Sequence, residues 1–346
     1  MGDNQAVGER VTGKAPTCPP GGVPFAITEE LVTARDGLRR ALLVILVCTI
    51  LIPPVMPLRV DFFSFWPVLL LASIPAAFIP YVAWRKMWLF RSILELASLS
   101  LLLLVPVLVL TYASMRIDMP MVDATLIAWD QAIGFDWPAF VQFVDRSPLA
   151  ATLLGIAYQS LMVQMVFLPM LLCLFGHQAR AYQMMLSLAL LSLISAVVSI
   201  AFPAVGAFVG HGFDGASLRH IDAHFGYVFV ESLIAVRDQP DFVLGIGTAA
   251  GIITFPSGHA AFAVLCMWAA WSSRWLRLPI LALNLLMWVS AITHGAHYLV
   301  DVIAGSAVAA VAIRMAVRAR PATIPDRVVR LALASRWPLF ARTRVT

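Results

Sequence analysis

Eight apolar runs divide the chain, at residues 41–58, 65–84, 92–115, 149–176, 181–202, 256–271, 278–292 and 297–317. A helix of about 20 apolar residues crosses a ~30 Å hydrocarbon core, so runs of this length predict membrane-spanning helices. The expected fold class is all-α, a polytopic integral membrane protein of about eight transmembrane helices. Pro53, Pro54 and Pro57 must bend or end the first run. Basic residues punctuate the pattern: Arg35, Arg39 and Arg40 precede the first run, and Arg85, Lys86 and Arg91 lie between the second and third. His177-Gln178-Ala179-Arg180 joins the fourth to the fifth, Arg274 and Arg277 separate the sixth from the seventh, and Arg314, Arg318 and Arg320 end the eighth. Counting spans alternately puts every one of these connections on one side, which the positive-inside rule makes cytoplasmic, with both termini there.

The stretches between the runs differ in kind. Residues 1–34 read as a polar, disordered tail, residues 35–320 as one membrane domain, and residues 321–346 as a basic cytoplasmic tail. Residues 116–148 alternate Asp118, Asp123, Asp130, Asp136 and Asp145 with Trp129, Phe135, Trp137, Phe140 and Phe143, which suits an amphipathic or re-entrant segment on the outer surface. Residues 203–251 form a long polar excursion, and so long a loop in a compact protein is usually functional. Glu95, four residues after Arg91, is expected to pair with it as neighbours on one helix face. His177 reads as a turn residue. Tyr158, Gln159, Ser160 and Gln164 put hydrogen-bonding groups inside the fourth run, for interhelical contacts or for a head-group cavity.

Composition agrees with the pattern. The chain is 61% hydrophobic and 12% charged, with a mean hydropathy of +0.87, far from a soluble domain. The net charge of +5 sits in the short clusters already named, so it speaks for membrane orientation rather than nucleic-acid binding. The four cysteines show neither metal spacing nor a disulfide framework. No charged segment followed by a short apolar core and cleavage site opens the chain, so no cleavable signal peptide is expected.

Two polar clusters stand at the heads of apolar runs: Phe255-Pro256-Ser257-Gly258-His259, and Thr293-His294-Gly295-Ala296-His297-Tyr298-Leu299-Val300-Asp301. Left unpartnered in hydrocarbon, such groups would cost several kcal/mol each, so they must partner one another or a ligand. On the expected topology both clusters lie at the outer face. His297 and Asp301 are four apart, and on a helix the carboxylate would take one ring nitrogen and leave the other as nucleophile or base. Ser257 suits a helix start, Gly258 lets a ligand approach the backbone, and the first-turn N–H groups favour an anion. His259 suits protonation of a leaving oxygen. Together these parts describe phosphoryl transfer through a phosphohistidine, with no cofactor and no metal required.

Pro256-Ser257-Gly258-His259 and Gly295-Ala296-His297 with Asp301 resemble the second and third motifs of the type 2 phosphatidic acid phosphatase superfamily of membrane lipid phosphatases and phosphotransferases. His259 and His297 are 38 residues apart with one helix between, as in that family. The resemblance implies a six-helix catalytic bundle behind extra N-terminal helices, with His297 as nucleophile, Asp301 as its orienter and His259 as acid. Two family cations are missing. Val230 stands where a first-motif lysine is expected, seven residues before Arg237, and Ala291 stands where an arginine usually precedes the third motif. Arg237 is the first choice to hold the phosphate instead, with Arg219 and His220 behind it; the alternative for Arg237 is an exposed loop charge. The lost arginine and the extra His294 resemble the inositol phosphorylceramide synthase and sphingomyelin synthase branch. His294 there contacts a head group or simply bonds at a helix start.

The expected partners are a lipid phosphate substrate and membrane lipids, and the expected place is the cell membrane with the site on the outer side. A transporter or channel is the rival of another class, but the polar residues gather at one face and no broken-helix repeat is visible. A structural scaffold leaves the His, His and Asp unexplained.

Overall fold

The computed structural model describes residues 29–318 apart from residue 57, so the tail at 1–28 and the basic segment after 320 lie outside the described residues. The protein is an all-α polytopic membrane protein. Its helices begin with α1 (Glu29–Val55), α2 (Trp66–Trp84), α3 (Trp88–Leu102) and α4 (Leu104–Met115). Then follow α5 (Asp123–Ala132), α6 (Trp137–Asp145), α7 (Pro148–Gln159), α8 (Leu161–Leu174) and α9 (Gln178–Ala201). The remainder are α10 (Ala207–Gly210), α11 (His224–Asp238), α12 (Gly258–Ala270), α13 (Arg277–Thr293) and α14 (Leu299–Arg318). A two-residue parallel ladder pairs β1 (Arg59–Val60) with β2 (Val243–Leu244), tying the end of α1 to the long excursion.

The eight apolar runs are all helical, but not all as single straight spans. Five stretches among the described residues are long and apolar enough to cross a membrane, with α3 and α4 counted as one stretch from Trp88 to Met115. A sixth span comes from α7 and α8, bent by 60° at Ser160. The last two runs before α14 give shorter helices, α12 of 13 residues and α13 of 17. At ~1.5 Å per residue α12 alone reaches only about 20 Å. Helix α9 is the centre of the bundle, packed against α1, α4, α8, α12 and α14. The outward faces of α1 and α2 carry Leu43, Val47, Leu70, Ile74 and Phe78 exposed, a continuous apolar surface suited to lipid.

Helix α1 begins at Glu29, twelve residues before its apolar run, because that first stretch has partners of its own. Glu30 accepts a hydrogen bond from Gln183 Nε2 at 2.8 Å, and Glu29 and Glu30 complement the helix N-terminus. The pairing expected within α3 does not occur. Glu95 accepts from Arg35 Nε at 2.9 Å and from Arg39 at 3.3 Å, and Tyr182 Oη donates to it at 3.1 Å. Buried at 8% exposure, Glu95 faces α1 and α9, where arginines of a neighbouring helix reach it better than Arg91 on its own. The starts of α1, α3 and α9 therefore meet at one end of the bundle. The end of α12 joins them, since the Arg180 guanidinium lies 4.1 Å from the Trp268 ring centroid.

At the opposite end, the aspartate-rich stretch forms α5 and α6, two short helices that cap the bundle rather than cross it. Three of its carboxylates hold backbone across long sequence distances. Asp145 accepts from the N–H groups of Arg219, His220 and Ile221 at 2.9, 2.8 and 2.8 Å. Burial pushes the Asp145 carboxyl up, but the three N–H groups outweigh it and hold it below the usual carboxylate range. A depressed native value stabilises the fold above the unfolded value, about 3.9, and that contribution disappears as pH falls through the native one. Backbone amides of residues 217–223 should thus exchange at an unchanged rate from pH 7 to 5, once corrected for intrinsic exchange, and faster below pH 4. Asp145→Asn should exchange fast at every pH.

Candidate active site

The two polar clusters meet at the capped end. Ser257 caps α12, its Oγ accepting from Ala260 N at 3.3 Å, and its own N–H donates to the Asp301 carbonyl at 3.0 Å. The start of α12 is thereby bonded to the first turn of α14. Gly305, one turn further along α14, permits this approach, since a Cβ there would lie 2.2 Å from the Ser257 carbonyl oxygen. Gly258 faces open space, with nothing within 4 Å of where its Cβ would be. Ala260 and Ala261 N–H are taken by Ser257, which leaves Gly258 and His259 as the first-turn N–H groups outside those bonds.

His297 contacts Asp301 as expected, but not as two residues on one helix face. Helix α14 starts at Leu299, and His297 lies in the turn before it, its Nδ1 3.4 Å from Asp301 Oδ2. The same oxygen accepts from Tyr298 N at 3.0 Å, so Asp301 reaches back over the helix start. Its Oδ1 is buried without a hydrogen-bond partner. The turn itself is strained at Ala296, a fully buried non-glycine residue with φ of 55°.

The strain is held by a set of bonds that the sequence did not announce. The His297 N–H donates to the Ala291 carbonyl at 3.1 Å, and Ala207 N donates to the Ala296 carbonyl at 2.6 Å. Trp137 Nε1 donates to the His297 carbonyl at 3.0 Å. Asp130 accepts from Leu299 N and Val300 N, both at 2.9 Å, a carboxylate placed on the N-terminus of α14. Burial pushes the Asp130 carboxyl up, against those two N–H groups and nearby His211. Asp123 accepts from Tyr298 Oη at 2.9 Å and from Val205 N and Gly206 N at 3.0 and 3.1 Å. Asp123 and Asp130 are seven residues apart on α5, a helical spacing that was the available signal for a common face, whereas Trp137 follows the turn at Gly134 and gave none.

His259 is half-buried and stacks on Tyr158, ring centroids 4.0 Å apart and planes 12° apart. It is near enough to His297 for their charges to interact. Tyr158 also borders His294 at 6.3 Å, and both its ring and that of His297 come within 3.0 Å of where a Gly295 Cβ would be. The tyrosine thus stands between the histidines. Of its neighbours in the fourth run, Gln164 instead makes an interhelical bond, accepting from Asn284 Nδ2 at 2.7 Å.

Two sequence candidates take other places. His294 is buried against α7, its Nδ1 2.9 Å from Thr293 Oγ1 and its Nε2 3.3 Å from where a Gly155 Cβ would be. Arg237 does not supply the missing cation. Its guanidinium donates to Asp118 at 2.7 Å and to the Met119 carbonyl at 2.6 Å. It occupies the last turn of α11, whereas the first turn carries Phe225 against Tyr158; twelve residues of helix put the two ends roughly 18 Å apart. Arg219 and His220 are exposed on the loop that Asp145 holds. The charged groups acting on His259, His294 and Asp301 are His297, Asp222 and Asp130, with no arginine or lysine among them.

A family model of the PAP2 superfamily matches residues 124–315, more than half of the 346. The chain belongs to the PAP2 superfamily. Comparison with curated proteins and with solved structures gave no significant match. PAP2 proteins are generally phosphatases or phosphotransferases. The match begins in α5 and ends in α14, so it takes in Asp130 and Trp137 as well as both histidine clusters, while α1 to α4 precede it. The helices that cap the site are thus part of the PAP2 region.

Proposed function

We propose that this PAP2 protein is a lipid phosphatase or phosphotransferase that works through a phosphohistidine on His297. The observation that carries the reading is the convergence of His297, Asp301 and His259, with the two clusters bonded through Ser257 N and the Asp301 carbonyl. Asp301 takes Nδ1 of His297, which leaves Nε2 as the nucleophile. Attack forms the N–P bond as the ester P–O bond breaks, and a proton from His259 goes to the departing alcohol. Water or a second alcohol then attacks phosphorus, gives its proton to His259 and releases His297. In the free state the 3.4 Å contact is long, and such bonds tighten as charge develops on the ring. The free N–H groups of Gly258 and His259, at the positive end of α12, seat the phosphate oxygens.

The lipid class follows from the surroundings. The exposed apolar faces of the bundle suit delivery of substrate from the bilayer, and the arginine-bearing helix ends gather opposite the site, which supports an outer-face site. Ala291, fully buried with its carbonyl on His297 N, leaves no cation where the resemblance expects one. A phosphodiester, with one negative charge, suits such a seat better than a dianionic monoester, and this favours head-group transfer to an alcohol as the second reading.

The test is a covalent trap. Protein in lipid nanodiscs is mixed with ³²P-labelled lipid monoester or diester and denatured during turnover. The expected label is stable in alkali, labile in acid, and maps to the peptide holding His297. Turnover with no label on that peptide would overturn the mechanism, and a product carrying an added alcohol rather than inorganic phosphate would select the transferase.

A further inference from the structure

The end of the bundle opposite the site holds more positive charge than its carboxylates neutralise. Arg35 and Arg39 on α1 both act electrostatically on Arg91 of α3, around Glu95. The carboxylate is saturated, receiving two donors from Arg35, one from Arg39 and one from Tyr182. Arg91 makes no hydrogen bond to it: its Nε is buried with no hydrogen-bond partner and its guanidinium lies 5.7 Å from the Trp88 ring. The remaining acid nearby, Asp36, is 47% exposed and 3.7 Å from Arg39. Glu95 attracts Arg91 through space, yet a guanidinium nitrogen buried without a hydrogen-bond partner beside two other guanidinium groups is unfavourable unless an anion completes the cluster.

The surroundings identify the kind of anion. Trp84, Trp88 and Phe90 are exposed beside Arg85, Lys86 and Arg91, an aromatic and basic belt of the sort that sits at a membrane surface. Arg35 is twenty residues before Val55, about 30 Å of helix from the end of α1 that β1 and β2 tie to the capped side. A lipid in one leaflet therefore cannot touch both places. We propose that Arg39 and Arg91 form a phosphate-binding site, separate from the active site, that takes the head group of an anionic phospholipid in the leaflet facing that end. The planar guanidinium of Arg91 offers its unused N–H groups to the phosphate oxygens, and Arg39, half-exposed, closes over it from α1. Bound lipid would pin α1 to α3, both of which precede the PAP2 match, so it acts on stability and not on the chemistry.

Melting temperature of the full chain in nanodiscs reads this directly. Exchanging part of the phosphatidylcholine for phosphatidylglycerol should raise it by about 3 °C for the wild type. Arg91→Gln should lose most of that rise while melting no lower than the wild type in phosphatidylcholine alone and keeping its turnover. Lys86→Gln, which removes a charge from the same belt but not from the cluster, should keep the rise. Inorganic phosphate added to phosphatidylcholine discs separates the sources: a rise there that Arg91→Gln abolishes assigns the site to free phosphate, and no rise assigns it to the lipid. If Arg91→Gln does not fold, Arg39→Gln on the exposed side of the cluster serves instead. An equal rise in wild type, Arg91→Gln and Arg39→Gln, or equal losses in Lys86→Gln and Arg91→Gln, would overturn the proposal.

Discussion

His297→Ala should bring turnover down to the background rate, a loss on the order of 10⁵-fold, and Asp301→Asn should lose on the order of 10⁴-fold. Alanine removes the atom that would carry the phosphoryl group. Asparagine keeps an oxygen for Tyr298 N but no longer stabilises the charge that develops on the His297 ring. Because the carboxylate acts only through that ring, the double variant should be no slower than His297→Ala alone. A further drop would mean that Asp301 touches substrate by itself. The experiment is clean because the turn does not depend on the imidazole for its shape. The bonds that fix it use the His297 N–H and carbonyl, to Ala291 and Trp137, and alanine keeps both. His297→Ala should therefore melt within a few degrees of the wild type, and retention of more than a hundredth of the wild-type kcat would remove His297 from the nucleophile's place.

That turn also shows where reading the sequence stops. Apolar runs and basic connections were legible because hydrocarbon thickness and charge act on composition, which needs no tertiary information. Ser257 was legible as a helix start because capping is local. The contact of His297 with Asp301 was legible in spacing, yet its form was not: a strained turn at Ala296, buried under α5 and α6, replaces the first turn of the expected helix. Asp130 lies about 170 residues from the amides it holds, and an aspartate in an amphipathic stretch has no local feature that separates it from a solvated one. Glu95 and Arg237 went astray for the same reason. Each was given a partner from its neighbourhood in sequence, while burial against α1 and the length of α11 decided otherwise.

Gly305→Ala should cost about 3 kcal/mol of stability and lower kcat roughly 100-fold in the protein that still folds. The added methyl would lie 2.2 Å from the Ser257 oxygen and 3.1 Å from its carbonyl carbon, both backbone atoms that no rotamer change can move aside. Helices α12 and α14 must separate, and the first bond to lengthen is the one from Ser257 N to the Asp301 carbonyl. That bond sets the distance between His259, two residues beyond Ser257, and the Asp301 carboxylate beside His297. A displacement of about 1 Å in a reacting group is enough for a loss of that size, and it should appear in kcat more than in KM, since the first-turn N–H groups of α12 stay together. Gly247→Ala, where the added methyl meets nothing within 4 Å, supplies the comparison and should change neither quantity. If Gly305→Ala melts and turns over like Gly247→Ala, then α12 and α14 do not approach closely in the working enzyme, and the two histidines reach phosphorus from a wider site than the one described.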